Sequence, residues 1–129
     1  MAIIVYNRTK EDHSGENNNY PAYRPSLLSN PYTHIKDKKT LAMFVVKTRE
    51  EAIERYKGYF DRMYNGNRPF KFLIDEIYEK YKNGEDVYLE CYCSPLPCHC
   101  DVIKDKLEKR LVREKIKEAK EKRNEKEGK

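Results

Sequence analysis

The sequence predicts one small α/β domain with three layers and a mainly parallel sheet, followed by a charged C-terminal helical extension. Short apolar runs typical of strands lie at residues 3–6 and 87–93, and segments with helical apolar spacing lie between and after them. The length of 129 residues allows one domain with a short tail. We therefore assign residues 1–112 to a single domain and residues 113–129 to a Lys/Glu-rich tail.

The first third of the chain carries few regular signals after its first strand. Residues 7–40 combine prolines, a glycine and three consecutive asparagines with few periodic apolar positions. Such a composition predicts a long loop region, and loops of that length often serve a function. Residues 40–47 are apolar again and predict either a second strand or an apolar connector.

Three helices are predicted in the rest of the chain. Thr48 can cap the first helix, Glu51 can bond back to it in a capping box, and residues 65–67 can end it. Pro69 opens the second helix, and the last helix begins near Cys98. Their apolar stripes are Ala52, Ile53, Tyr56, Phe60 and Met63; then Phe70, Leu73, Ile74, Ile77, Tyr78 and Tyr81; then Val102, Ile103, Leu107 and Leu111.

The charge distribution argues against a nucleic-acid partner for the domain. The formal net charge is +5, but residues 113–129 hold eight basic and five acidic residues, which leaves 19 basic and 17 acidic residues elsewhere. A basic groove is therefore not expected. The sequence has no run of 18 apolar residues and no charged-then-apolar leader, so we expect neither a membrane-spanning nor a secreted protein.

All four cysteines lie within ten residues, at positions 91, 93, 98 and 100, and His99 lies among them. The segment is predicted to pass from the carboxyl end of a strand through a proline-containing turn into a helix. Open α/β sheets bind ligands at that place. Cys91 and Cys93 would point in parallel from one face of a strand, so we expect reduced thiols in a cytoplasmic setting rather than disulfides.

Anion binding is the first chemistry that this segment suggests. The first turn of the last helix has backbone N–H groups without helical partners and a positive dipole end, and a phosphate or carboxylate can bind there. Arg24, in the long loop, can supply a bidentate partner, and Asn30 can add a polar contact. The alternative is that Arg24 pairs with a structural carboxylate and that Asn30 belongs to a turn.

The cysteines also suggest two other chemistries and a plain core role. Cys91, Cys93, Cys98 and His99 are ligand types that zinc uses, although their spacing is tighter than that of most structural zinc sites. Cys98 at a helix start fits a nucleophile, with His99 nearby in sequence. Equally, unpaired cysteines are often simply buried in cores, and Cys91 and Cys93 share the predicted strand face of Val87.

Three motifs resemble those of a known family. The run from Cys91 to Ile103 reads CYCSPLPCHCDVI, residues 24–32 read RPSLLSNPY, and residues 48–52 read TREEA. Together they resemble the hallmarks of domain-of-unknown-function family 4326, which groups short bacterial and phage proteins. The resemblance implies a Rossmann-like fold and supplies no activity. The chain departs from the family pattern at Leu28, Ser29, Glu90 and Cys100.

Two hypotheses of different classes follow. In the first, the chain binds a nucleotide or another phosphate-bearing metabolite, and Arg24, Ser26 and Asn30 contact the ligand. His99 is then the acid–base candidate, because its unperturbed pKa lies near neutrality, and Cys98 is the second catalytic candidate. In the second, the chain is a phage-type adaptor that binds a host protein, and its Cys/His cluster is structural, with zinc as an optional cofactor. The two hypotheses predict different effects of deleting residues 113–129.

Overall fold

The structure is a computed structural model. It describes residues 2–11, 17–23, 26–33, 44–91, 96 and 98–127, with side chains to residue 123. The predicted site residues Arg24 and Cys93 lie outside the described residues.

The strands form two sheets, both parallel in every described pairing. The larger sheet contains β1 (Ala2–Asn7), β2 (Asn19–Pro21) and β5 (Asp86–Cys91) in the order β1-β5-β2, and the smaller one pairs β3 (Tyr32–Thr33) with β4 (Phe44–Val45). In the larger sheet Ile3 lies opposite Val87, and Tyr20 lies opposite Leu89. The strand β5 is therefore central, and it pairs with both β1 and β2.

Three helices follow the local signals of the sequence. They are α1 (Arg49–Gly66), α2 (Arg68–Lys82) and α3 (His99–Glu127). The Thr48 hydroxyl accepts the Glu51 N–H at 3.1 Å, so the predicted N-cap of α1 is confirmed. Asn67 ends α1 and caps α2, because its side chain accepts the Phe70 N–H at 3.0 Å. Gly84 turns the chain into β5 with a φ of 93°, a conformation that favours glycine.

The hydrophobic core lies against one face of the larger sheet. Side chains alternate along a strand, and the core takes Ile3, Val87 and Leu89 from one face, whereas Tyr6 and Glu90 belong to the other. The helices contribute Tyr56 and Phe60 from α1; Phe70, Ile74, Ile77, Tyr78 and Tyr81 from α2; and Cys100, Val102, Ile103, Leu107 and Leu111 from α3. These are largely the predicted apolar stripes.

The predicted α/β class and mainly parallel sheet are confirmed. The three-layer arrangement and the Rossmann-like topology stay predictions. The region 7–40, predicted as a long loop, contains the short strands β2 and β3, which the sequence did not predict. In the described part of the chain, no helix has an apolar stretch that meets the requirements of a membrane span.

Candidate functional site

The carboxyl ends of the three parallel strands meet at one edge of the sheet. There the backbone N–H of Arg8, just after β1, donates to Cys91 O at 2.8 Å, and the N–H of Ala22, just after β2, donates to Glu90 O at 2.9 Å. These bonds extend the strand pairing by one residue on each side of β5. They bring the segments that follow β1 and β2 beside the end of the central strand, the ligand-binding edge of open α/β sheets.

His99, in the first turn of α3, contacts this edge directly. Its Nε2 lies 2.7 Å from Ala22 O, and since a carbonyl can only accept, Nε2–H is the donor. The His99 ring also packs against the ring of Tyr56 in α1, with 5.0 Å between the two ring centres. The Tyr56 hydroxyl in turn donates to Leu28 O at 2.8 Å. Thus the loop after β2, α1 and the start of α3 meet around two rings.

Asn30 fixes the same loop to α1. Its side chain is buried, its Nδ2 donates to Ala52 O at 3.1 Å, and its Oδ1 accepts the N–H of Tyr32 at 2.9 Å. Both ends of the amide therefore bind main chain. This arrangement holds the loop against α1.

Ser26 differs from its neighbours in one respect. Its Oγ is buried and has no hydrogen-bond partner in the part of the chain that the structure describes. Its backbone groups do have partners: its N–H donates to Tyr23 O at 2.9 Å, and its carbonyl accepts the Ser29 N–H at 3.0 Å. A buried hydroxyl without a partner is uncommon in folded proteins and calls for an explanation.

Three thiols converge just below this edge. The Sγ atoms of Cys91, Cys98 and Cys100 all lie within 4.8 Å of one another, and the three residues are buried. The Cys91 thiol also donates to Tyr6 O at 3.3 Å. At the start of α3, the Cys98 N–H donates to an Asp101 carboxylate oxygen at 3.0 Å. These three cysteines are outside disulfides and lie close enough to hold a metal ion.

Hydrogen bonding and burial keep the Cys100 thiol protonated. A hydrogen bond with the Cys91 thiol is the largest influence, burial acts in the same direction, and together they hold the pKa of Cys100 well above its usual value. Burial likewise raises the pKa of the Tyr56 hydroxyl. Because thiolate is the nucleophilic form of cysteine, Cys100 is a poor nucleophile at neutral pH.

A buried carboxylate lies on the opposite face of the sheet. Glu90, next to last in β5, is 1% exposed. One of its oxygens accepts from Arg8 Nη1 at 2.6 Å, and the other accepts from Asn19 Nδ2 at 2.9 Å. The Tyr6 hydroxyl donates to Asn19 Oδ1, which completes the chain of bonds. A buried charge needs such pairing, since desolvation of a lone carboxylate costs several kcal/mol.

A family model matches residues 5–109, which is most of the chain. It describes a domain of unknown function (DUF4326). The chain belongs to this family. The predicted resemblance is thereby confirmed, and the matched span covers all three motifs that carried it. No curated protein and no solved structure was found to match the chain.

Within this DUF4326 domain the structure brings some predicted site residues together and separates others. The contacts of His99 and Tyr56 join the start of α3 to the loop that holds Ser26 and Asn30. Cys98 instead joins the thiol cluster, and His99 does not lie in the cluster formed by the described residues.

The sequence missed the role of one group at the site and left the environment of a nearby carboxylate open. Cys100 was noted only as an additional thiol, although it lies two residues from Cys98 and is buried beside it. For Glu90, a charged residue between positions 89 and 91 of a strand, the sequence left two alternatives, an exposed side chain or a paired one. The structure shows the paired one, with Arg8 and Asn19 as partners.

Proposed function

We propose that the protein binds a nucleotide or another phosphate-bearing metabolite at the carboxyl edge of the larger sheet. The binding region lies between residues 22–30 and the first turn of α3. The proposed activity is binding.

The unpartnered hydroxyl of Ser26 carries the proposal. Burying a hydroxyl without a hydrogen bond costs about 1–3 kcal/mol, and a ligand oxygen at this position removes that cost. The N–H of Ser26 is bonded to Tyr23 O and its carbonyl to the Ser29 N–H, so its backbone groups are already satisfied and its hydroxyl is the group left for a ligand. It was also one of the residues that the sequence assigned to the ligand.

The surroundings of Ser26 suit an anionic ligand. The positive end of α3 reaches this region through the contact between His99 and Ala22, and helix N-termini stabilise negative charge. Asp101 already accepts the Cys98 N–H, so a bound anion must keep clear of that carboxylate. The cation expected from the sequence is Arg24, two residues before Ser26 in the chain.

The remaining predicted residues take different parts in this proposal. His99 is the acid–base candidate, with Nε2–H donated to Ala22 O. Asn30 holds the loop through its two main-chain bonds. Cys98 lies in the buried thiol cluster, which leaves it a weaker nucleophile candidate than the sequence suggested.

The test compares Ser26→Ala with Ser29→Ala, a matched change three residues along the same loop. Thermal unfolding is followed with and without inorganic phosphate, pyrophosphate and ADP. A ligand at 100 times its Kd stabilises the folded state by about 2.7 kcal/mol. We expect Ser26→Ala to leave the free protein as stable as the wild type or more so, because it removes an unpaired hydroxyl, yet to reduce the ligand-induced shift.

Ser26→Ala is thus expected to preserve or raise the stability of the free protein and to reduce its stabilisation by the ligand, and a merely destabilising substitution would not give this combination. Ser29→Ala should leave the ligand-induced shift unchanged, and Arg24→Ala should abolish it. If none of the three phosphate compounds raises the melting temperature of the wild type at millimolar concentration, the proposed function is wrong.

A second candidate is an adaptor protein stabilised by zinc, and the thiol cluster favours it. Thiolate ligands suit zinc, and the three buried thiols, within 4.8 Å of one another, lie close enough to share one ion. Described cysteines outside disulfides also agree with a reducing, cytoplasmic compartment. In this candidate the exposed part of α3, with Val112 and Ile116 on its surface, would meet the host protein.

A further inference from the structure

The three described thiols lie on both sides of the connection between β5 and α3. Cys91 is the last residue of β5, Cys98 immediately precedes α3, and Cys100 is its second residue. Their exposed fractions are 2%, 4% and 0%. A cation bound by all three would tie the end of the central strand to the start of the last helix.

The spacing of the sulfurs agrees with one small thiophilic cation. Zinc binds thiolate sulfur at about 2.3 Å, so sulfurs on one tetrahedral ion lie about 3.8 Å apart. The observed separations are at most 4.8 Å, and movements of about 1 Å or less would bring the sulfurs to that spacing. Rotation of the cysteine side chains is sufficient for movements of this size.

His99 faces away from the cluster. Its Nε2–H donates to Ala22 O, and its ring packs against Tyr56. Consecutive helical residues point about 100° apart, which separates His99 from Cys100. Cys98 precedes the first helical residue, so this rule does not apply to it and its thiol can converge on that of Cys100.

We propose that Cys91, Cys98 and Cys100 are three of the ligands of a buried zinc ion and that His99 is not a ligand. This inference rests on the zinc candidate of the preceding section and assigns its ligands. On binding, the ion displaces one proton from each thiol, and the three protons pass to solvent. The start of α3 stabilises the thiolates of Cys98 and Cys100 through its dipole.

The test measures zinc on the full chain, purified without a histidine tag, by elemental analysis and by competition with a chromogenic chelator. Cys100→Ser is compared with His99→Gln, which keeps a side-chain N–H for Ala22 O. We expect about one zinc per wild-type chain. Loss of a residue that only hydrogen-bonds a metal ligand typically lowers metal affinity by about 10-fold or more, so loss of the ligand Cys100 in Cys100→Ser should lower zinc affinity at least about tenfold. Zinc affinity should stay unchanged in His99→Gln.

A second measurement covers the case in which Cys100→Ser does not fold. The wild-type chain is alkylated with iodoacetamide with and without saturating zinc, and the labelled cysteines are mapped by mass spectrometry. Zinc should slow labelling at positions 91, 98 and 100 together. Labelling of Cys100 at its metal-free rate would overturn the assignment.

The outcomes distinguish zinc binding itself from the identity of the zinc ligands. Zinc binding that His99→Gln weakens and Cys100→Ser does not would overturn the ligand set while keeping the zinc. A wild-type chain that retains no zinc after dialysis would overturn both. Neither result bears on phosphate binding, which the Ser26→Ala comparison tests separately.

Discussion

At the scale of single residues, Glu90 shows how a buried charge is accommodated. It is the only charged residue among the buried ones in the described part of the chain. Arg8 supplies the opposite charge, and Asn19 satisfies the second carboxylate oxygen. Arg8 remains 35% exposed, so solvent can still reach the guanidinium. The pair therefore links a buried position in the central strand to the segment that follows β1 at the carboxyl edge of the sheet.

We predict that Arg8→Ala destabilises the protein more than Glu90→Gln does. Removing Arg8 leaves a buried carboxylate without its cation, which costs about 3 kcal/mol or more, whereas Glu90→Gln removes the charge and keeps a similar shape. The free energy of unfolding in urea measures both effects. The double variant should be more stable than Arg8→Ala alone, because it no longer buries an unpaired charge.

Arg113→Ala is the control for this comparison, since Arg113 is exposed on α3. Its unfolding free energy should stay within about 0.5 kcal/mol of that of the wild type. Equal destabilisation by Arg8→Ala and by the double variant would show that the charge of Glu90 is not the reason for the loss.

At the scale of secondary-structure elements, strong local signals predicted the helices. Thr48 and Asn67 act through backbone bonds within three residues, so their caps depend little on the rest of the fold. The stripe of α2 was predictable for the same reason, because its helical spacing is regular. The structure moves only the ends of these elements by a residue or two.

The strand β2 could not be predicted, because its structure comes from a distant partner. Its sequence is Asn-Tyr-Pro after two further asparagines, which locally indicates a turn. Only pairing with Tyr88, Leu89 and Glu90 makes it a strand. The pairing also brings Asn19 to Glu90, so the missed strand and the missed carboxylate network have one cause.

The packing of α2 against α3 provides a pH-dependent prediction. Asp75 accepts from the Tyr64 hydroxyl at 2.7 Å and from Arg110 Nη1 at 3.0 Å. Burial alone would raise the pKa of Asp75, but these two hydrogen bonds and the positive charge outweigh it and hold the pKa below its usual value. The folded state therefore binds a proton at Asp75 less readily than the unfolded state does.

We predict that Asp75→Asn lowers the melting temperature by a few degrees at pH 7 and by less at pH 3. The stabilisation by Asp75 is complete above the unfolded-state pKa of about 3.9 and disappears as the pH falls through the lower folded-state pKa. Scanning calorimetry from pH 7 to pH 3 measures the difference. Asp61→Asn, in a more exposed ion pair with Lys106, is the matched control and should change stability less. A difference that grows on acidification would contradict this explanation.

At the scale of the whole molecule, the candidate site depends on contacts between distant parts of the sequence. His99 and Ala22 are 77 residues apart, and Tyr56 and Leu28 are 28 apart. The sequence predicted that Ser26, Asn30, Cys98 and His99 would serve one site, but local patterns carry no information on which way each side chain turns. That is why His99 was grouped with the thiols and Cys100 was not.

The C-terminal extension contributes to the stability of the whole molecule only through its first residues. Glu114 of α3 accepts from the Tyr78 hydroxyl at 2.5 Å and pairs with Lys82 at 3.4 Å. We predict that deleting residues 113–129 destabilises the protein by about 1–2 kcal/mol, because these bonds are lost. Deleting only residues 118–129 should change the melting temperature by about 2 °C or less, because the described side chains there are exposed.

Ligand binding by the two truncated chains then distinguishes the two functional candidates. Tyr56, His99 and the loop at residues 22–30 make their contacts without residues 113–129. Both truncations should therefore keep the full thermal shift with ADP or pyrophosphate, measured at a temperature where each chain is folded. If the deletion of residues 118–129 removes the shift, the ligand is not bound at the edge of the sheet. An adaptor that acts through α3 would show the reverse pattern, with partner binding lost and chain stability unchanged after that deletion.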